Sequence, residues 1–412
     1  MQNDAMPKNA MEPQEMTANH ADAVGIQLFS GLSAAGSGGD ALRRQLSQSE
    51  SSSLTQRSDL IADRAVWVGA YQGELRSDLP AELAHLDSRN LRFALTALAQ
   101  IETELRDYVA QFEPARLAIV LGTSTSGIAD NEPLLQARFQ GHTETPIDQK
   151  KQEMGSLAQG LQTYLGWLGP AYTISTACSS AAKAFAAGQR LINAGLADAV
   201  LVGGVDTLCR LTLNGFNSLE SLATGICKPC GAQRDGINIG EAAGLFLLSK
   251  ETASVMLLSA GESMDAWHIS APHPEGQGAA TAMQRALTQA NLEASAIDYL
   301  NLHGTATPQN DAMEIRAVRT VFADQSPALS STKHQTGHCL GAAGAIEALI
   351  CTQLLIDQDW LPVHHIGSID PSLADQPYVT SAQTEQPIRY VMSNSFAFGG
   401  SNISLIFARS AV

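Results

Sequence analysis

The chain alternates between short, wholly apolar runs and longer stretches in which apolar residues recur every three or four positions. Apolar runs at residues 23–30, 117–124, 199–206, 242–249, 255–260, 297–302, 390–393 and 403–407 predict buried strands. Helical spacing predicts helices over 91–108, 181–192, 281–289 and 344–355. Strands alternating with helices predict parallel sheets with helices on their faces, an α/β fold. The element order recurs, so the pattern predicts two duplicated halves, 23–250 and 251–412. Residues 1–22 are polar and aperiodic and predict a mobile N-terminal extension. Residues 45–57 are rich in Ser and Gln and predict an exposed loop.

At 412 residues the chain is longer than a single core usually supports, which agrees with two halves. Lys plus Arg number 25 against 41 Asp plus Glu, a net charge of −16 that argues against nucleic-acid binding. Six cysteines without regular spacing do not form a disulfide framework and point to a reducing, cytoplasmic compartment. No run of about 18 apolar residues is evident, so no membrane span is expected. The start of the chain lacks the pattern of a secretory signal.

Candidate chemistry clusters at four places. Cys178 follows an apolar approach (Tyr172, Thr173, Ile174) and precedes an alanine-rich helix. A helix N-terminus offers N–H groups and a dipole that favour a thiolate, the form of sulfur that attacks carbonyls. Read alone, Cys178 is equally a small buried thiol. His303 ends an apolar strand in the small-residue turn 303–308. Lys333 and His338 lie in the glycine-rich stretch 331–344. The loop 393–402 carries Phe396, Phe398, Gly399 and Gly400, and can present backbone N–H groups to an oxyanion or move as a gate. Each has a structural alternative, but together they form a nucleophilic constellation.

These four stretches, 176–180, 303–308, 333–344 and 394–402, resemble in order the signatures of the β-ketoacyl-acyl carrier protein synthases, in the elongating Cys-His-His branch. The resemblance covers roughly 173–407 well and the first third weakly. It implies a thiolase fold, a five-layer α-β-α-β-α sandwich of two duplicated halves, working as a homodimer or as a heterodimer with a related chain-length factor. It implies decarboxylative Claisen condensation of an acyl group with a malonyl thioester on acyl carrier protein. No cofactor is implied beyond the carrier's phosphopantetheine. By resemblance Cys178 is the nucleophile, and His303 and His338 bind the malonyl carbonyl. Lys333 tunes that region, with Glu347 and Asp311 in support. The N–H groups of Cys178 and Phe396 form the oxyanion hole, with Phe396 as gatekeeper. Asn301, Glu347, Ser393 and Asn394 match positions that can hold a monovalent cation in relatives.

The gating loop departs from the usual pattern: Ala397 stands where a glycine is common, at a cost of roughly 1–2 kcal/mol if that residue must take positive φ. The N-terminal segment resembles condensing enzymes of polyene pathways, including aryl polyene synthesis. Cys227 and Cys230 form a lone CxxC, read as two free loop thiols. Lys228 and Arg234 are candidates to touch an acidic carrier. His364 and His365 are read as structural, and Asp265 and His268 as part of a second entrance loop. A non-catalytic chain-length factor would lack the cysteine. A thiolase would carry a second cysteine where Phe398 stands, and an initiating synthase would carry Asn at His338.

Overall fold

The computed structural model describes residues 21–48, 52–142, 144, 146–365, 367–384 and 386–410. Most of the expected N-terminal extension, residues 1–20, lies outside these. The last two residues of that segment are tied down: the Ala21 carbonyl accepts from Lys250 Nζ, and the Asp22 carbonyl from Gln189 and Asn193.

Ten strands carry the fold: β1 (Val24–Ser33), β2 (Leu117–Gly122), β3 (Ala171–Ile174), β4 (Ala199–Asp206), β5 (Ala242–Ser249), β6 (Val255–Met264), β7 (Tyr299–Asn301), β8 (Ala328–Ser330), β9 (Tyr390–Phe396) and β10 (Ser401–Arg409). Among the helices of the described residues, six recur between the halves: α1 (Arg89–Leu98), α2 (Ser156–Leu165), α3 (Ser180–Asn193), α4 (Gln277–Gln289), α5 (Pro308–Phe322) and α6 (Ala343–Asp357). The spatial order is β8-β7-β9-β10-β6-β1-β5-β4-β2-β3. Adding five to each strand of the first half gives the second, with the same parallel and antiparallel neighbours. The helices repeat likewise, α1–α3 against α4–α6. The halves join where Val24 pairs with Leu257 and Gly25 with Met256.

Side-chain alternation sorts the strands into layers. Ile119, Leu121, Leu201 and Leu247 face out, onto Phe93 and Leu95 of α1 and Leu161 of α2. Val120, Val202 and Phe246 face in, onto Phe185 of α3 and Ile350 of α6. On the far side Leu300, Met392 and Ile406 meet Met283 of α4 and Val318 of α5. The layers therefore run helices, sheet, α3 with α6, sheet, helices: the five-layer thiolase arrangement. Phe185 ties the middle layer to both sheets, its ring centroid 4.8 Å from Phe246 and 6.0 Å from Phe407.

Several expectations need correction. The stretch Leu340–Asp357, with mean hydropathy 1.5 over 18 residues, is apolar enough to cross a bilayer, contrary to the expectation of no such run. It is 89% buried inside the protein because α6 is the central helix, packed between both sheets. The single helix expected over 91–108 is two, Arg89–Leu98 and Glu102–Val109, broken where Ile101 leaves helical geometry at φ −128° and ψ 7°. The loop expected over 45–57 overlaps the end of a helix, Gly39–Leu46, and the start of a hairpin, Thr55–Ile61 with Arg64–Val68.

Candidate active site

Cys178 sits where β3 hands over to α3. Ala177, just before it, takes φ 53°, sparsely populated for a residue with a Cβ. The turn is held by Ser180, whose hydroxyl donates to the Ala177 carbonyl and accepts the Thr176 N–H. Gly122 lets the helix start come close: a Cβ there would lie 2.3 Å from the Ala181 nitrogen. The thiol is buried, 5% exposed, and burial pushes its pKa up to about 12. The Lys333 charge and the Phe398 backbone N–H pull the other way, and burial wins. The expected thiolate at the helix start is therefore replaced by a resting thiol.

The second half brings two imidazoles to this sulfur. His338 Nε2 lies 3.0 Å from Sγ, and the sulfur and one nitrogen of each ring, His303 included, lie within 4.8 Å of one another. The rings stand nearly perpendicular, 82° apart, with centroids at 5.3 Å. Burial, then the Lys333 charge, holds both well below the ordinary histidine pKa, so both are neutral. Neither Nδ1 finds a partner among the described residues. A buried N–H there would be an orphan donor costing about 1–3 kcal/mol, so the proton belongs on Nε2, facing the sulfur and the cleft.

Lys333 and Glu347 form a buried ion pair behind the imidazoles. Two carboxyls set the His303 turn. Glu314 on α5 accepts the N–H groups of His303 and Gly304 at 2.8 and 2.7 Å, and burial raises it to about 7. Asp311 accepts the Ala306 and Cys230 N–H groups. Sequence reasoning missed Glu314 because it missed α5, whose first turn is polar; the Thr307-Pro308 cap and first-position proline were the available signal.

The gating loop is revised. Phe396 ends β9, pairs with Asn402 and packs 6.3 Å from the His303 ring. Phe398, not Phe396, turns its backbone N–H to the Cys178 sulfur, and its ring rests 5.6 Å from Phe216. The expectation that Phe396 brings the loop N–H to the sulfur is therefore corrected: Phe398 does so. Ala397 has φ −95°, so the strain anticipated for its Cβ does not arise in this conformation. Gly399 and Gly400 carry the positive φ, 81° and 80°, and a Cβ on Gly400 would meet the Asp265 carbonyl at 2.1 Å. The second entrance loop is pinned here, Asp265 N–H donating to the Gly400 carbonyl.

A cleft opens onto Cys178, His303, His338 and Phe398, with Thr305 and Thr307 on its walls. Cys178, His303 and His338 form the only such trio of ligand atoms among the described residues, but the Lys333 charge acts on all three and opposes a metal cation. Of the cation positions, Asn301 and Glu347 keep buried oxygens without partners among the described residues. Asn394 does not: its side chain is committed to Glu314 and Ser404. Arg234 is not displayed to a carrier, its side chain being 9% exposed and paired with Asp370. Lys228 is exposed, and Cys227 and Cys230 are buried free thiols.

Comparison with known proteins agrees with this geometry. Residues 84–254 match the β-ketoacyl synthase N-terminal domain and 254–367 its C-terminal domain. A 3-oxoacyl-[acyl-carrier-protein] synthase 2 of Staphylococcus aureus (strain COL) is 35% identical over 60% of this chain and 63% of its own length. The match thus spans under two thirds of that relative. Nodulation protein E of Rhizobium meliloti (strain 1021) is 36% identical over 65% of this chain and 69% of its own. Among solved structures, a chain of a ketosynthase–chain length factor complex from Xenorhabdus doucetiae superposes with TM-score 0.89 at 40% identity, covering 94% of this chain and 98% of that one. A β-ketoacyl synthase from Burkholderia phymatum STM815 gives 0.83 at 26% identity, covering 94% and 99%. With its fold, its Cys-His-His cluster and these relatives in agreement, the chain belongs to the β-ketoacyl synthase family.

Proposed function

We propose that this protein catalyses decarboxylative condensation of an acyl group, held on Cys178, with a malonyl thioester of acyl carrier protein. The observation that carries the reading is the convergence of one thiol and two neutral imidazoles in a buried cleft. In the first step the Cys178 sulfur attacks the acyl thioester carbonyl, and the carrier leaves as a thiol with the proton that Cys178 gives up. The N–H groups of Cys178 and Phe398 receive the oxyanion. In the second, the malonyl carbonyl oxygen accepts from Nε2–H of His303 and His338. Carbon dioxide departs and leaves an enolate in a water-poor site. Its carbon attacks the acyl-cysteine, forming the new C–C bond. The Cys178 sulfur leaves and regains a proton from solvent, and the 3-oxoacyl carrier product is released.

The working partner is a related chain, seated along the free edge of β3. That strand carries Tyr172, 38% exposed, and Leu168 shortly before it is 74% exposed. The likeness to a chain of a ketosynthase–chain length factor complex supports a heterodimer. The pathway proposed with it is polyene or polyketide rather than housekeeping fatty acid elongation, and the compartment proposed is the cytoplasm. A monovalent cation between Asn301 and Glu347 fits the unpartnered oxygens there. The test is intact-mass analysis after incubation with a panel of acyl carrier proteins, with and without a co-expressed partner. An acyl adduct at Cys178 and carbon dioxide release from malonyl carrier protein are expected. Absence of both in every combination would overturn the reading in favour of a non-catalytic partner.

A further inference from the structure

His364 and His365 follow α6 in a segment with no strand of the main sheet, and the chemistry above uses neither. His364 is 2% exposed, and its ring is fully spoken for. Nδ1 lies 3.1 Å from the Ser331 N–H, which can only donate. Nε2 lies 2.9 Å from the Pro229 carbonyl, which can only accept. These two neighbours fix one tautomer, neutral with the proton on Nε2. His365 repeats the arrangement, taking the Gly367 N–H at Nδ1 and donating from Nε2 to the same Pro229 carbonyl.

Both of His364's partners lead to the catalytic turns. Ser331 stands two residues before Lys333, and its hydroxyl donates to the Gly304 carbonyl at 2.7 Å. The contact is close: a Cβ on Gly304 would fall 2.5 Å from the Ser331 Cβ. On the other side, Pro229 precedes Cys230, whose N–H donates to Asp311 Oδ2 at 2.7 Å. Asp311 Oδ1 accepts the Ala306 N–H. The turn 303–306 is thus gripped at Gly304 and at Ala306, and both grips run back to one imidazole.

We infer that His364 is a positioning residue, setting the placement of His303 and Lys333 through Ser331 on one side and Pro229, Cys230 and Asp311 on the other. The inference rests on the condensing-enzyme reading. It places His364 on the decarboxylation step, which needs His303, and leaves it out of Cys178 acylation.

Two near-isosteres separate the two grips. Asn at 364 can offer an oxygen near the Nδ1 position and keep the Ser331 bond, while losing reach to Pro229. Gln can reach Pro229 with an N–H but loses the ring acceptor. The wild type and His364→Asn, His364→Gln and Ser331→Ala variants are assayed for malonyl carrier protein decarboxylation, Cys178 acylation and melting temperature. A displaced catalytic group costs on the order of 10–100-fold in rate, so His364→Gln and Ser331→Ala should lose decarboxylation by that factor while acylation stays within about twofold. His364→Asn should fall between these variants and the wild type. Equal loss of both steps, or no loss of decarboxylation in either His364→Gln or Ser331→Ala, overturns the inference. A wild type that itself neither acylates nor decarboxylates overturns the condensing-enzyme reading instead.

Discussion

The two halves share one topology and divide the chemistry unequally. Where β3 meets α3, the first half places Cys178; at the equivalent junction between β8 and α6, the second places Lys333 and His338. After β7 comes the His303 turn, held by Glu314 and Asp311. After β2 comes its counterpart, Thr123 to Thr125, held by one buried carboxyl: Asp206 takes both hydroxyls and the N–H groups of Ser124 and Thr125, all within 2.8 Å for Oδ1. A buried acid bracing a turn is thus common to both halves, and only the second turn carries a reactive side chain. The difference teaches that one scaffold occurs twice, with strand ends facing one cleft, while the side chains on it differ: a thiol from the first half, two imidazoles and a lysine from the second.

The sharpest way to break this division is Cys178→Ala. It should remove acylation by a factor on the order of 10⁶, as loss of a nucleophile does, and an acyl adduct on that variant in intact-mass analysis would refute the assignment. Next is the pair behind the imidazoles. Glu347→Gln leaves the Lys333 ammonium buried without its counter-charge, a loss of about 3–5 kcal/mol in denaturant unfolding. Unchanged stability would mean that the second half does not depend on this pair. His303→Ala should lower malonyl decarboxylation by about 3 kcal/mol in the barrier while sparing acylation, and equal loss of both steps would erase the contrast between halves.

A smaller effect comes from pH. His303, His338 and His364 stay neutral in the folded protein because they are buried, while the unfolded chain protonates them near 6.5. Below that pH the unfolded state binds more protons. Stability should therefore fall as pH drops, by about 1.4 kcal/mol per unit for each histidine. Glu314 opposes this in part, since at about 7 it takes up a proton in the folded state before it would unfolded. Denaturant midpoints at pH 7.5 and 5.5 check the sign; a higher midpoint at 5.5 would contradict it. Smallest is Ala397→Gly. With φ at −95° the alanine is unstrained, so glycine should destabilise by only about 0.4–1 kcal/mol, through the unfolded chain. A gain in stability would mean that the loop at rest is strained after all.

The sequence was most legible where one physical demand acts alone. β4 and β5 are buried along their whole length, and their boundaries were read to the residue. Cys178, His303, Lys333 and His338 were found through motif order; the structure places the first two and His338 around one cleft and Lys333 in a buried pair with Glu347. What escaped had two causes. Helix α5 buries Asp311 and Glu314 among apolar residues, so its inward face does not read as apolar. The hairpin's first strand opens on Thr55, Gln56 and Arg57, polar and partly exposed after a Ser- and Gln-rich stretch, so its start resembled a loop. Phe396 and Phe398 could not be told apart by composition, because only the fold decides which backbone N–H meets the sulfur.

The contact between Phe398 and Phe216 has a bearing on timing. Cys178 beneath Phe398 is only 5% exposed, so an acyl group carried there, as proposed above, would be shielded from water between the two steps. Under that proposal the pace of turnover would belong to whatever parts the two benzyl groups, and a docked carrier protein that did so would act as both courier and key.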